Sequence, residues 1–176
     1  MVFILLHFVS KPISLDFPHH FINHAASQAS SRLYGVDPVE TLSANVLGTM
    51  QLLELGFSQP VISFMYLSSG ETQSVKTKEA EYVYVDPTSV RSCYAQSKGM
   101  GTNICVSLYA KFQVLIKIVR PFHTYGPRMK LDDDRFYAIF VRDIVENRAI
   151  VIERDFNDSR VFCYQANNTA GFLQYY

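Results

Sequence analysis

The 176-residue sequence contains few cysteines and no excess of charge of either sign. The three cysteines, Cys93, Cys105 and Cys163, are far apart and form no C-x-x-C pair, which argues against a zinc motif or a disulfide framework. Lys and Arg number 16, and Asp and Glu number 16, so the chain lacks the basic surface that attracts nucleic acid or an anionic membrane. We therefore expect a protein of the reducing cytoplasm that binds neither nucleic acid nor a membrane.

The sequence also lacks a hydrophobic run long enough to cross a bilayer. The apolar opening at residues 1–10 has no basic residue before it. Lys11 and Pro12 then follow, where a signal peptide has small cleavage-site residues. We interpret this opening as a buried strand or as a noisy fragment end.

Strands alternate with helices in the remainder of the chain. Asp37 is a predicted N-cap, Pro38 suits the first helical position, Glu40 stands at the capping-box distance, and Gly56 is a natural stop for that helix. Apolar runs and helical spacing predict strands at 21–26, 61–67, 114–119, 149–153 and 161–164, and helices at 37–56, from 89 onward and at 132–147. This order predicts a partial doubly wound α/β fold, a parallel sheet with helices on both faces.

Tyr94 and Lys98 lie four residues apart on the second predicted helix and therefore point from one helical face. A phenol with an ordinary pKa near 10 is a poor base at neutral pH. An ammonium one turn away favours the phenolate, so we expect Lys98 to lower the pKa of Tyr94. Ser69, at a strand end, can hold a substrate alcohol while Tyr94 removes its proton. Taken alone, Y-x-x-x-K is more typical of a solvated helix face than of a catalytic pair.

This pair belongs to one of six motifs that follow each other in a fixed order. They are His24-Ala25-Ala26-Ser27, Asn45-Val46-Leu47-Gly48-Thr49, Ser68-Ser69-Gly70-Glu71, Tyr94-Ala95-Gln96-Ser97-Lys98, Tyr125-Gly126-Pro127-Arg128 and Arg160-Val161-Phe162-Cys163-Tyr164. With these motifs over nearly its whole length, the chain resembles extended short-chain dehydrogenase/reductases of the NAD-dependent nucleotide-sugar epimerase/dehydratase family. The resemblance implies a Rossmann-like domain, partial here, over residues 1–148. It also implies the start of a substrate-binding portion over 149–176.

The resemblance further implies a catalytic set of Tyr94, Lys98, Ser69 and Glu71. Tyr94 would be the acid and base for oxidation of the sugar C4 hydroxyl, and Ser69 would bind the same hydroxyl. Lys98 would tune Tyr94 and bind the ribose hydroxyls of NAD. Asn45 matches a family asparagine, and a structural hydrogen bond between helix and strand is at least as good an explanation for it.

The remaining implied site residues contact the cofactor or the substrate. Those next to NAD are Ala25, Ala26, Ser27 and Pro121, together with Tyr94 and Lys98. The implied partner is a nucleotide sugar, contacted by His123, Arg128 and Arg160. Arg160 would pair with the diphosphate, for which a planar guanidinium is well suited. His123 stands where the family commonly has asparagine, so its role is open.

Glu71 bears on the subclass. Sugar 4,6-dehydratases resemble this chain but place Asp-Glu after the strand-end hydroxyl, where this sequence has Gly70-Glu71. UDP-glucuronate decarboxylases are more similar, with a hydroxyl residue, a small residue and Glu, followed by Arg91-Ser92-Cys93-Tyr94. The resemblance therefore favours a decarboxylase and leaves dehydratase and epimerase open.

No metal site is expected. His19, His20 and His24 have no acidic or cysteine partner nearby, and the acidic run at 132–134 is interpreted as a solvated helix start.

The sequence lacks a glycine-rich G-x-G-x-x-G or G-x-x-G-x-x-G turn, which in this family holds the cofactor pyrophosphate at a helix N-terminus. Two hypotheses therefore stand. The chain is an NAD-dependent enzyme of nucleotide sugars, as a fragment or a divergent form, or it is a non-catalytic remnant or interaction module that cannot hold NAD. A parallel sheet without its first strands would also expose an apolar edge, which predicts poor solubility or a homodimer.

Overall fold

A computed structural model describes residues 13–15, 17–58, 61–72, 85–152 and 160–174. The strands are β1 (Phe21–His24), β2 (Ser63–Leu67), β3 (Ile116–Val119), β4 (His123–Tyr125) and β5 (Phe162–Tyr164). The helices are α1 (Ser31–Val36), α2 (Pro38–Phe57), α3 (Cys93–Phe112), α4 (Phe136–Val145) and α5 (Gln165–Leu173). The predicted strand at residues 1–10 lies outside the described ranges.

The main sheet has the order β1–β2–β3, and both pairs of strands are parallel. Ile22 lies opposite Phe64, which in turn lies opposite Ile116. A smaller parallel sheet pairs β4 with β5. This arrangement confirms the predicted α/β class and its parallel sheet.

The helices α2 and α3 lie side by side against one face of the main sheet. The buried cluster between them contains Ile22, Ala44, Leu52, Leu53, Phe64, Tyr66 and Cys105. Gly101 in α3 allows the closest approach, because a Cβ there would collide with the Tyr66 hydroxyl and would lie 3.1 Å from the backbone oxygen of Asn45. This glycine lets α3 lie close to both β2 and α2.

The start of α2 follows from its sequence. The side chain of Asp37 accepts a hydrogen bond of 2.9 Å from the backbone N–H of Glu40, and Pro38 occupies the first turn, which confirms the predicted cap. Gly56 does not end the helix, which continues to Phe57 and is capped by Ser58 in a right-handed conformation. Gly56 is buried instead, with room for a Cβ 3.5 Å from Ile22 Cδ1.

Three other boundaries differ from prediction. A short 3-10 turn at Val90–Ser92 precedes α3, so the helix begins at Cys93 rather than at residue 89. The helix predicted from residue 132 begins at Phe136, and the acidic run lies in the loop before it. Residues 149–152 of the predicted strand at 149–153 form no strand, and residue 153 lies outside the described ranges. Among the described residues, no helix is long and apolar enough to span a membrane.

Candidate functional site

The carboxyl end of β2 positions Ser69 and Glu71. Ser69 is buried directly after the strand, and its hydroxyl accepts a hydrogen bond of 3.1 Å from the backbone N–H of Glu71. The backbone N–H of Gly70 donates to the Pro121 carbonyl at 3.1 Å, which ties this turn to the end of β3. The Phe122 ring packs on the same turn, with Cδ1 only 2.5 Å from where a Cβ of residue 70 would stand. Gly70 is therefore the residue that fits this turn.

Tyr94 and Lys98 lie on the buried face of α3, with 7% and 2% of their surface exposed. The solvated-helix explanation of their spacing is therefore wrong for this fold. The Lys98 ammonium donates a hydrogen bond of 2.7 Å to the Leu67 carbonyl and lies 5.2 Å from the centre of the Tyr66 ring. Burial lowers the pKa of Lys98 from 10.5 to about 8.

The Tyr94 phenol does not have the lowered pKa that the spacing predicts. Burial raises its pKa, and the negative charge of Glu71 acts in the same direction. A hydrogen bond with Ser69 and the positive charge of Arg135 oppose that shift. Desolvation dominates here, because the ring is almost completely enclosed.

An aromatic ring encloses Tyr94. Tyr34 of α1 stacks on it with ring centres 5.1 Å apart and planes 10° from parallel. Burial raises the pKa of Tyr34 to about 12. The negative charge of Glu71 also raises this pKa, and the positive charge of Arg91 lowers it. Desolvation by the surrounding protein raises the pKa of the Glu71 carboxyl, although much of the side chain is exposed. The positive charge of Arg91 lowers the same pKa. Neither Tyr34 nor α1 was predicted from the sequence.

A buried hydrogen-bond chain fixes α3 against α2. The Asn45 side-chain amide donates to the Ser97 hydroxyl at 2.9 Å, and that hydroxyl donates to the Tyr94 carbonyl at 3.0 Å. The suggested link from Asn45 to a strand is therefore wrong, since its partner lies on α3. Asn45 connects two helices and orients the one that carries Tyr94.

The end of β1 contributes His24 and the small residues after it. His24 is completely buried, and its Nε2 lies 2.9 Å from the Thr49 hydroxyl. The Thr49 hydroxyl in turn donates to the Asn45 carbonyl at 2.5 Å. Burial, with a smaller contribution from the charge of Lys98, lowers the pKa of His24 to about 3. This imidazole is neutral at any physiological pH.

The small residues Ala25, Ala26 and Ser27 follow β1 in an irregular segment. Ala25 is exposed, Ala26 and Ser27 are half-buried. The Ser27 hydroxyl oxygen is itself buried and has no hydrogen-bond partner among the described residues.

Of the three residues implied to contact the substrate, His123 and Arg160 lie near each other. His123 on β4 is half-buried, its ring lies 5.5 Å from that of Phe162, and its pKa is lowered by burial and by the charges of Arg160 and Arg135. Arg160 is thus near His123. Arg128 is exposed in a left-handed conformation with φ of 67°, and the described residues include no hydrogen-bond partner for its side chain. Pro121 is half-buried after β3.

Arg135 is a site residue that the sequence analysis missed. Its guanidinium donates two hydrogen bonds to the Asp133 carboxylate, at 2.8 and 2.7 Å, and lies 5.1 Å from the centre of the Tyr137 ring. Its charge acts on both Tyr94 and His123. The run of acidic residues before it was the available signal, because one of them binds the guanidinium instead of capping a helix.

No group of three or more His, Cys, Asp or Glu side chains is placed to hold a metal ion in the part of the chain that the structure describes.

Comparison with known proteins agrees with this arrangement. Residues 9–173 match the model of the NAD dependent epimerase/dehydratase family. UDP-glucuronic acid decarboxylase 5 of Arabidopsis thaliana is 29% identical over 176 residues, which cover 97% of this chain and 50% of the relative. The chain therefore spans about half the length of the curated relatives it matches.

Two solved structures share the fold. UDP-glucose 4-epimerase of Thermotoga maritima superimposes with a TM-score of 0.75 at 20% identity, over 88% of this chain and 50% of the other. UDP-glucuronic acid 4-epimerase of Bacillus cereus, solved with UDP-glucuronic acid and NAD, gives 0.69 at 24% identity, over 85% of this chain and 46% of the other. At these identities the likeness supports the fold.

Proposed function

The chain belongs to the NAD-dependent epimerase/dehydratase family, and from this premise we propose that it modifies a nucleotide sugar through transient oxidation at the sugar C4. The observation that carries the proposal is the Tyr94 phenol, buried and hydrogen-bonded with Ser69, one helical turn before a buried lysine. Such a phenol can exchange a proton with a substrate hydroxyl that Ser69 holds in place.

The residues at the site divide the proton transfer between them. Ser69 orients the C4 hydroxyl, and Tyr94 accepts its proton and later returns it. Because burial raises the pKa of Tyr94, the phenol is protonated at rest and must first release its proton to solvent. The Ser69 hydrogen bond and the Arg135 charge stabilise the phenolate that then accepts the proton of the C4 hydroxyl. NAD, when bound, would accept the hydride from C4.

The nicotinamide end of NAD fits the residues present. A lysine ammonium has three donors, and one of those of Lys98 is used by the Leu67 carbonyl, which leaves donors for ribose hydroxyls. The buried Ser27 hydroxyl, without a partner among the described residues, provides another polar contact at the end of β1. The side chains of Ala25 and Ala26 are small enough for the cofactor to lie against the backbone.

Within this family we favour decarboxylation of UDP-glucuronate. A ketone at C4 is β to the C6 carboxylate, so the bond to that carboxylate breaks readily, releasing carbon dioxide and leaving its electron pair as an enolate that takes up a proton. The crowding of Gly70 by Phe122 supports this choice, because the additional acid of the 4,6-dehydratases would require the ring to move. The relatives named UDP-glucuronic acid decarboxylase support it as well.

A second candidate is a non-catalytic module of the same fold. The observation that favours it is the lack of a glycine-rich pyrophosphate turn anywhere in this sequence. Such a module would keep the scaffold and the buried Tyr94 but would not hold NAD.

We also propose a homodimer through the outer face of α2. Val39, Leu42 and Met50 are exposed there, and Val46 lies between them at helical spacing, so the four form one apolar stripe. Sedimentation equilibrium measures the oligomeric state directly.

We further propose that residues 1–148 form the partial NAD-binding domain and that residues 149–176 begin the substrate-binding portion. β4 and β5 pair across that division.

Calorimetric titration of the 176-residue chain with NAD and with UDP-glucuronate tests the proposal. We expect binding of both, and turnover that Tyr94→Phe reduces by about 100- to 10,000-fold while NAD affinity stays nearly unchanged. Tyr109→Phe, on the exposed side of the same helix, is the matched control and should keep full turnover. Absence of NAD binding by the wild-type chain would reject the enzyme and support the non-catalytic module.

A further inference from the structure

Besides Arg160, which acts on His123, three cations act on the groups of the candidate site, and two of these three are already engaged. Lys98 donates to the Leu67 carbonyl from a buried position. Arg135 is bound by both oxygens of the Asp133 carboxylate. Arg91 differs, because within the described ranges its side chain has no hydrogen bond and no carboxylate within ion-pair distance. Among the described residues, no group occupies its donors, so its guanidinium can offer two parallel N–H donors to a ligand.

The position of Arg91 is set by the turn that precedes α3. This turn, Val90–Ser92, packs against α1, and the Ser92 hydroxyl holds it by donating to the Asp86 carbonyl at 2.6 Å. The next residue, Cys93, contacts the Tyr34 carbonyl through its sulfur at 3.6 Å. Arg91 is thus anchored beside the stacked pair of Tyr34 and Tyr94 and remains exposed.

Arg91 also lies near the catalytic carboxylate. Its positive charge acts on both Glu71 and Tyr34, which places the guanidinium on the side of the site where Glu71 stands. An anionic substrate group next to Glu71 would be repelled unless a cation stood beside it. Arg91 supplies that cation.

We infer that Arg91 binds the carboxylate of a uronic-acid nucleotide sugar and so makes the site selective for uronates over neutral sugars. This inference rests on the proposed function, since Ser69 and Tyr94 must hold the C4 hydroxyl. The C6 carboxylate is attached to C5, the ring carbon next to C4, so it falls within a side chain's reach of both. A guanidinium binds a carboxylate through two parallel N–H donors, which a neutral hydroxymethyl group cannot accept in the same way.

The test is to titrate the full chain with UDP, UDP-glucose and UDP-glucuronate, which separate the nucleotide, the neutral sugar and the uronate. We expect the wild-type chain to bind UDP-glucuronate about 10- to 100-fold more tightly than UDP-glucose, the usual size of a charge-assisted hydrogen-bond pair. Arg91→Gln should abolish this preference and leave the affinity for UDP unchanged. Arg91→Lys should keep part of it, because the charge remains and the fork is lost.

Lys111→Gln is the matched control. It removes one exposed charge from α3, the helix that follows Arg91, about 25 Å from Tyr94 at the helical rise per residue. It should bind all three compounds as the wild-type chain does.

The results separate the inference from the proposed function. Binding of UDP-sugars by the wild-type chain without a preference for the uronate, or a preference that survives Arg91→Gln, would overturn the role of Arg91 and leave the proposed function standing. Equal loss of UDP affinity in both Arg91 variants would show that the residue serves the fold and would also overturn its assigned role. Failure of the wild-type chain to bind any of the three compounds would overturn both.

Discussion

Replacing Lys98 by methionine is expected to remove a pH dependence from the free energy of unfolding. Burial lowers the pKa of Lys98 from 10.5 to about 8 in the folded chain, whereas the unfolded chain has the ordinary value. One pKa unit corresponds to about 1.4 kcal/mol, so the buried ammonium destabilises the folded chain by about 3 kcal/mol at neutral pH.

The sign of the pH dependence follows from which state holds the proton. Below pH 8 both states are protonated, and the penalty is constant. Between about pH 8 and pH 10.5 the folded chain releases the proton while the unfolded chain keeps it, so stability rises with pH. Above that range both states are neutral and the gain is complete. Lys98→Met has no such group and lacks this rise.

Urea unfolding of both proteins from pH 7 to pH 10.5 measures the effect. The wild-type free energy of unfolding minus that of Lys98→Met should be flat near pH 7 and then increase by about 3 kcal/mol. Taking the difference cancels the tyrosines and other groups common to both proteins. Lys111→Met, which changes an exposed lysine on the same helix, should show a constant difference. A constant difference for Lys98→Met as well would refute the burial of a charged lysine at this site.

Two further substitutions test the packing around the site by urea unfolding at pH 7. Gly70→Ala should destabilise the chain by about 1–3 kcal/mol, because the new Cβ would overlap the Phe122 ring; an unchanged midpoint would show that the ring moves freely. Ser97→Ala should cost about 1–3 kcal/mol, because the Asn45 amide loses its partner in a buried position. If Ser97→Ala lowers the free energy of unfolding by less than about 0.3 kcal/mol, Asn45 has found another acceptor.

The elements that carry the site could be predicted because their patterns are strong. β1, β2 and β3 are short apolar runs. Small or hydroxyl residues follow β1 and β2, Arg120 and Pro121 follow β3, and parallel strands place these ends at one edge of the sheet. That geometry, together with the face of α3, brings Ser69 and Tyr94 together. The motif order therefore contained most of the arrangement of side chains around Tyr94.

The short or poorly packed elements could not be predicted. α1 has six residues, one of them Gly35, and α5 has no buried side chain, so neither shows an apolar stripe of useful length. The residues that modulate the site, Tyr34 and Arg135, come from α1 and from a loop. Their proximity to Tyr94 depends on tertiary packing that sequence spacing does not encode. The same packing reverses the expected pKa shift of Tyr94, because enclosure outweighs neighbouring charge.

The hydrogen bonds around His24 determine the tautomer of its imidazole. The single Thr49 hydroxyl proton is directed to the Asn45 carbonyl, so the oxygen can only accept from His24, and Nε2 must carry the ring proton. Nδ1 then presents a lone pair to the interior, where it has no partner among the described residues. The ring is a fixed dipole with its positive side toward α2 and its negative side elsewhere in the interior. It therefore acts as a permanent electrostatic element of the strand end next to the site, and not as a proton carrier.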